Sequence, residues 1–402
     1  MTDTLALLCG AIAVAGLLQA AAGLGALWRH RRPRLIVSAC VPPITILKPL
    51  HGAEPLLEQA LASFCMQDYP CFQIVFGIQN PADPALHTVA RLRARFPDID
   101  ITTIVDPTPH GPNHKIANML NMIGAAKHDT LVIADSDIHA APHYLRDLVN
   151  TLGQPGVGLV TTLYAGRPAK PGLAGALGAA QINHSFLPGA LLARAMGRQD
   201  CLGATMALTR MTLDRVGGLS ALSPHLADDA VLGHLVAGLG LRVALAPTIP
   251  QTTIPEDTIG ALAEHELRWA RTIRSLAPVG FALSVAQFPI VWATLALMLS
   301  SGAAQPWACA LFAGTWFGRA VIASAMDRML NVATHPYMLW WLPVRDFMSV
   351  AIVIASYRTN RVAWRGQTLR ALPPARVVKA ALSPASPTFA PRASFVPGIP
   401  QP

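Results

Sequence analysis

Leu131-Val132-Ile133-Ala134 runs directly into Asp135-Ser136-Asp137. A short apolar run bounded by polar residues reads as a buried parallel strand. In open α/β sheets, ligands bind beyond the carboxyl ends of the strands, where these two carboxylates would stand. Side chains two apart on an extended segment face the same side. Asp135 and Asp137 are therefore candidate ligands of one hard cation, Mg2+ or Mn2+, of the kind that bridges to a diphosphate. An acidic pair after a strand also reads as a solvated turn, and the neighbouring segments must decide between the two.

Upstream and downstream the pattern alternates. Strand-like runs fall at 44–47, 72–78, 101–105, 158–163, 205–208 and 243–246, with 131–134 among them. Amphipathic helical segments at 55–66, 85–95 and 114–123 lie between several of them. Such alternation predicts an α/β domain with a mostly parallel sheet covered on both faces. There is no internal repeat, no Walker loop and no GxGxxG after a strand.

The flanks are of another kind. Apolar residues make up 52% of the chain and charged residues 13%, with a mean hydropathy of +0.40, too apolar for an ordinary soluble enzyme. Residues 5–28 are almost free of charge and long enough to span a bilayer. Arg29-His30-Arg31-Arg32-Pro33-Arg34 follows. Charge after the apolar core, rather than before it, predicts an uncleaved anchor with the downstream chain in the cytosol. The resulting division is a transmembrane anchor at 1–28, a basic linker at 29–42 and a cytosolic α/β domain at 43–279. A transmembrane hairpin at 280–326, an interfacial or re-entrant and basic segment at 327–370 and a Pro-rich disordered tail at 371–402 complete it. Arg319, within the hairpin, must face protein or snorkel. Gly23 and Gly25 are expected to pack the anchor. The six cysteines form no CxxC pair, which excludes a zinc site or disulfide framework, and Cys65 and Cys71 are expected as buried free thiols. The net charge of +9 lies beside apolar segments without aromatic-basic interleaving, so it points to anionic lipid and an anionic substrate, not to nucleic acid.

Three further sites join the first. Asp83, in Asn80-Pro81-Ala82-Asp83-Pro84, follows the second strand and reads either as a helix cap or as a group on the same sheet edge as Asp135. Asp228-Asp229 opens a helical segment; two adjacent carboxylates cannot make the same cap, so one is free to act as a general base. In the run His265-Glu266-Leu267-Arg268-Trp269-Ala270-Arg271-Thr272-Ile273-Arg274, His265, Arg268, Trp269 and Thr272 share one helix face. Arg beside Trp suits a diphosphate and a ring; a basic helix lying on lipid accounts for Arg271 and Arg274 but poorly for His265 and Trp269.

Taken in order, an Asp after strand two, the DxD-like Asp135-Ser136-Asp137, the late Asp-Asp and an RW box resemble family 2-type and family 21-type glycosyltransferases. Leu47-Lys48-Pro49-Leu50, residues 63–70 and Asn113-His114-Lys115-Ile116-Ala117-Asn118 strengthen the likeness. The chain is most similar to the ceramide glucosyltransferase-like family and, within it, to the bacterial hopanoid biosynthesis-associated glycosyltransferases. That resemblance implies a GT-A fold and inverting transfer from a UDP-sugar to a lipid hydroxyl. A hopanoid polyol goes with UDP-N-acetylglucosamine, and ceramide with UDP-glucose. It further implies donor contacts from Asp83, Lys115, Asp135, His265, Arg268 and Trp269, and a divalent metal, Mg2+ or Mn2+, on Asp135 and Asp137. Asp229 would be the base, with Asp228 its neighbour. The location implied is a bacterial inner membrane with the catalytic domain cytosolic. His265 departs from the Gln or Arg usual in the family, and its charge depends on pH. A processive polysaccharide synthase needs more membrane helices than follow the domain here, a polyprenyl-phosphate sugar synthase fits the RW box poorly, and an inactive membrane scaffold is the reading from a different class.

Overall fold

The computed structural model describes residues 2–32, 41–301, 305–333, 337–359, 361–364 and 367–370. In chain order the strands of the α/β domain are β1 (Ile44–Pro49), β2 (Phe72–Ile78), β3 (Asp100–Val105), β4 (Thr130–Ala134), β5 (Ile138–His139), β6 (Val157–Thr161), β7 (Ala165–Pro168), β8 (Thr205–Thr209), β9 (Arg242–Leu245) and β10 (Gln251–Ile254). Its helices are α2 (Leu57–Cys65), α3 (Ala85–Arg95), α4 (His114–Met122), α5 (Tyr144–Leu152), α6 (Leu173–Gln181), α7 (Leu187–Ala195), α8 (Arg210–Arg215), α9 (Asp228–Gly238) and α10 (Ile259–Leu276), preceded by α1 (Thr2–His30).

The central sheet has seven strands in the order β3-β2-β1-β4-β8-β6-β9. β1, β2, β3 and β4 run parallel, β9 runs parallel to β6, and β8 is antiparallel to both β4 and β6. This is the mostly parallel α/β sheet expected of a GT-A domain. The two-residue period of a strand sorts the apolar runs onto opposite faces. Ile44, Ile46, Ile74, Phe76, Val132 and Ala134 pack with α2, α3 and α5, whereas Leu47, Val75, Leu131 and Ile133 pack with α4, α8 and α9. A second sheet, β5-β10-β7, was not legible in advance, because its strands are two to four residues long. Cys65 is buried as expected, but Cys71 is exposed.

α1 and α13 (Gln305–Leu330) are long and apolar enough to cross a membrane. Gly23 packs as expected: a Cβ there would meet Pro188 Cβ, in α7, at 2.6 Å, whereas one at Gly25 meets nothing within 4 Å. The anchor thus lies against the catalytic domain. The first arm of the expected hairpin is not one helix. α11 (Pro278–Leu283) and its continuation to Gln287 meet α12 (Pro289–Leu299) at 64°. Pro289 offers no N–H and pushes Phe288 out of the helical region, to φ −103 and ψ 75. The stretch expected to be interfacial or re-entrant forms the continuous helix α14 (Met338–Ser356), with Pro343 inside it. The charges within it, Arg345 and Asp346, are buried and paired: Arg345 with Glu266, and Asp346 with Arg319 of α13. Arg319 therefore faces protein. An antiparallel strand pair, β11 (Arg361–Trp364) and β12 (Gln367–Arg370), follows. Most of the basic linker and the whole Pro-rich tail lie outside the described residues.

Candidate active site

Asp135 lies one residue beyond β4, at the carboxyl edge of the sheet. The segment is a tight turn and not an extended strand, with the Ile138 N–H donating to the Asp135 carbonyl at 3.4 Å. The two carboxylates accordingly take different neighbours. Asp135 Oδ1 receives the Lys115 ammonium at 2.5 Å. Asp137 Oδ2 accepts from the Thr252 hydroxyl on β10. They remain close enough to repel: burial first, and then Asp135, holds the Asp137 carboxyl above the usual range.

Lys115 is placed by the start of α4. Asn113 caps that helix, its Oδ1 accepting from the N–H groups of Lys115 and Ile116 at 3.0 and 3.1 Å. The Asn113 amide also donates to the His225 carbonyl at 2.8 Å and to Asp228 Oδ1 at 3.2 Å. One cap thus fixes the entry of α4 against the entry of α9. Burial pulls the Lys115 ammonium down, but Asp135, Asp228 and Asp229 outweigh it and hold the group above the ordinary lysine value. Its Nζ also donates to the Gly203 carbonyl at 3.3 Å.

Asp228 and Asp229 occupy the first turn of α9 and do different work. Asp228 is buried against Asn113, while Asp229 is half-buried and accepts the Ala230 N–H at 2.8 Å. Burial first, and then the adjacent Asp228, push the Asp229 carboxyl up to about 6. Gly203 leaves it room: a Cβ there would stand 2.9 Å from Asp229 Oδ2. Gly203→Ala should therefore displace this carboxylate and lower turnover by about 10- to 100-fold with little change in melting temperature; parallel rate and melting measurements check it, and unaltered turnover would count against Asp229.

Sequence reasoning missed two residues here. Lys48, the last residue but one of β1, is fully buried; its ammonium lies 3.6 Å above the Phe64 ring and donates to the Asp135 carbonyl at 2.7 Å. Burial lowers it to about 7 against the pull of Asp137, Asp135 and Glu54. A lysine ending an apolar strand at the ligand edge was the available signal. Tyr164, three residues past β6, stacks on Phe186 with ring centroids 5.1 Å apart. Burial, with Asp229, Asp137 and Asp135 nearby, holds its phenol above the ordinary range. Tyr164 and Trp269 both pack against the buried cluster of Ala179, Ile182 and Ile254.

α10 carries the RW box as a single helix of 18 residues. His265 Nδ1 pairs with Glu256, and its ring meets Trp269 edge-on, with centroids 4.7 Å apart. Arg268 and Trp269 are half-buried on the same side. Asp83 stands further along the sheet edge: both its oxygens accept from Gly52 N–H at 2.9 and 3.0 Å, and Oδ1 also caps α3 at Ala85 N–H, 2.9 Å away. These bonds tie the loop after β1 to the loop after β2 and steady the first residue of α3.

No group of three or more His, Cys, Asp or Glu side chains suited to a metal occurs among the described residues. Asp135 and Asp137 still fit a divalent ion whose other ligands are phosphate oxygens and water, since Mg2+ commonly takes only one or two protein carboxylates. Their mutual repulsion, visible at Asp137, is what such an ion relieves.

A family model described as Glycosyl transferase family 21 matches residues 8–377. Ceramide glucosyltransferase 1 of Caenorhabditis elegans is 21% identical over 338 residues, covering 82% of this chain and 72% of that protein. The ceramide glucosyltransferase of Komagataella phaffii is 30% identical over 128 residues, 31% of this chain and 25% of that protein. Among solved structures, the mannosyltransferase PcManGT from Pyrobaculum calidifontis, in complex with GDP-Man and Mn2+, aligns with a TM-score of 0.47 and 20% identity over 86% of this chain and 99% of that one. The chain belongs to glycosyl transferase family 21 and is a glycosyltransferase.

Proposed function

We propose that this protein is a membrane-bound inverting transferase that moves a sugar from a UDP-sugar to the hydroxyl of a membrane lipid. One observation carries the reading: Lys115, on α4, gathers Asp135 from the turn after β4 and Asp228 and Asp229 from the start of α9 at the carboxyl edge of the sheet. Asp229 takes the proton from the lipid hydroxyl as its oxygen attacks the anomeric carbon. The sugar–phosphate bond breaks on the opposite side and UDP leaves, a single displacement that inverts the centre. Lys115 and Arg268 bind the departing diphosphate and stabilise its growing charge. A divalent cation on Asp135 and Asp137 would supply further neutralisation of that charge. Asp83 acts on the nucleotide side by fixing the loops at Gly52, while Trp269 and Tyr164 wall the acceptor, with His265 holding the Trp269 edge.

The acceptor we propose is a hopanoid polyol with UDP-N-acetylglucosamine as donor, on the likeness of the run from His265 to Arg274. Ceramide with UDP-glucose is a second reading, favoured by the names of the curated relatives. The basic run after α1 supports a cytosolic placement of the catalytic domain at an inner membrane by the positive-inside rule, and the Arg32 guanidinium over the Trp28 ring at 3.6 Å fits a membrane interface there. Incubating the purified protein and Mn2+ with each labelled donor and each lipid, followed by mass analysis of the lipid products, tests both; product from ceramide alone refutes the hopanoid reading.

Because the base must be ionised, kcat/KM should fall as pH drops below about 6, the value to which the Asp229 carboxyl is raised. A pH–rate profile flat down to about 5 would be incompatible with that base, since ordinary carboxylates titrate near 4.

A further inference from the structure

Arg345 and Asp346 are consecutive on α14 and reach in two directions. The Arg345 fork donates to both oxygens of Glu266 on α10, at 2.7 Å each, and Nη1 donates to the Leu177 carbonyl on α6 at 3.3 Å. Nε and Nη2 close onto Ser349 at 3.1 and 2.9 Å. Asp346 faces Arg319 of α13 at 3.7 Å and accepts the Ile290 N–H of α12 at 3.4 Å. Arg345 is 1% and Asp346 0% exposed. Glu266 stands next to His265 and two and three residues before Arg268 and Trp269.

A buried ion pair contributes little net stability over well-packed apolar side chains of similar volume. What a planar, bidentate fork adds is orientation, because it fixes the rotation and axial register of one helix against another. An apolar contact between α10 and α14 would tolerate sliding, and a helix turns about 100° for each residue of slip. At about 100° per residue Arg268 stands about 160° around α10 from Glu266 and Trp269 about 60°, so the fork on Glu266 sets where both point.

We propose that Arg345 is a positioning residue: through Glu266 it holds α10 so that Arg268 meets the donor diphosphate, while Asp346 references that grip to the membrane helices. The proposal rests on the reading that Arg268 binds the donor diphosphate. It makes α14 part of the donor site without touching the donor.

The test uses the full chain in detergent, titrated with UDP and Mn2+ by calorimetry, with melting temperature measured alongside. Three variants are compared: Arg268→Ala, Arg345→Lys, and the double variant Glu266→Met with Arg345→Met. Arg345→Lys keeps the charge and loses the fork, and the double variant removes the pair without leaving an unpaired charge. Both are expected to keep their melting temperature within a few degrees and to raise the UDP Kd about tenfold, the loss of one charge-assisted hydrogen bond. Arg268→Ala should raise it at least as far. Wild-type UDP affinity in either folded Arg345 variant, with Arg268→Ala weakened, overturns the positioning role. Unchanged affinity in Arg268→Ala overturns the diphosphate reading and the proposal with it. Failure of both Arg345 variants to fold shows the pair to be structural and also overturns the proposal.

Discussion

Asp229→Asn is expected to reduce sugar transfer by about a thousandfold or more, the contribution of a positioned base, while UDP binding stays near the wild-type value. The substitution is nearly isosteric. Asn can still accept the Ala230 N–H that Asp229 holds at 2.8 Å, and the space over Gly203 is unchanged. What disappears is the ability to take a proton from the acceptor hydroxyl. The donor side is untouched, because Lys115 remains on Asp135 and the Asn113 cap remains on Asp228. Calorimetric titration with UDP and initial rates with a lipid acceptor separate the two effects. Wild-type turnover in Asp229→Asn would remove it as the base, and a parallel loss confined to Asp228→Asn would move the role to its neighbour.

The strand pattern was readable because burial on both faces writes a strand as a near-continuous apolar run, as in Ile74-Val75-Phe76 of β2 and Leu131-Val132-Ile133-Ala134 of β4. The site was readable where a carboxylate ends such a run, at Asp135, or opens a helix, at Asp228-Asp229. What sequence could not supply was partnership across distance. Asp135 and Asp137 looked like a matched pair on an extended segment; a turn gives one to Lys115 and the other to Thr252, which lies more than a hundred residues later. Asp83 shows the converse, a residue whose turn bond to Ala85 was foreseeable from Asp-Pro and whose tie to Gly52 was not. Arg345 and Asp346 show the same limit, because charges inside an apolar stretch do not name their partners in the sequence. Glu266 and Arg319, the partners, lie on other helices.

Lys115→Met should have the second large effect, and it should alter pH dependence as well as rate. The ammonium is the cation that the carboxylates of Asp135, Asp228 and Asp229 share. Methionine fills much of the volume and leaves those groups uncompensated in a partly buried site. Like charges favour protonation, so the Asp229 carboxyl, already at about 6, moves higher. At pH 7 less of the base is then ionised, and the departing diphosphate also loses a charged contact; together these lower kcat/KM by about 100- to 1000-fold. The acid limb of the rate profile shifts to higher pH by about a unit, since one unit corresponds to only about 1.4 kcal/mol of lost interaction. Stability follows the same sign. Carboxylates whose folded-state values are raised bind protons in the native protein that the unfolded chain has released. The variant is therefore most stable below the ordinary carboxylate range and loses stability as pH rises through and beyond about 6. Rate profiles and melting temperatures between about pH 5 and 8 read both effects. A fallen rate with an unmoved acid limb would mean that Lys115 serves the donor alone and does not tune the base.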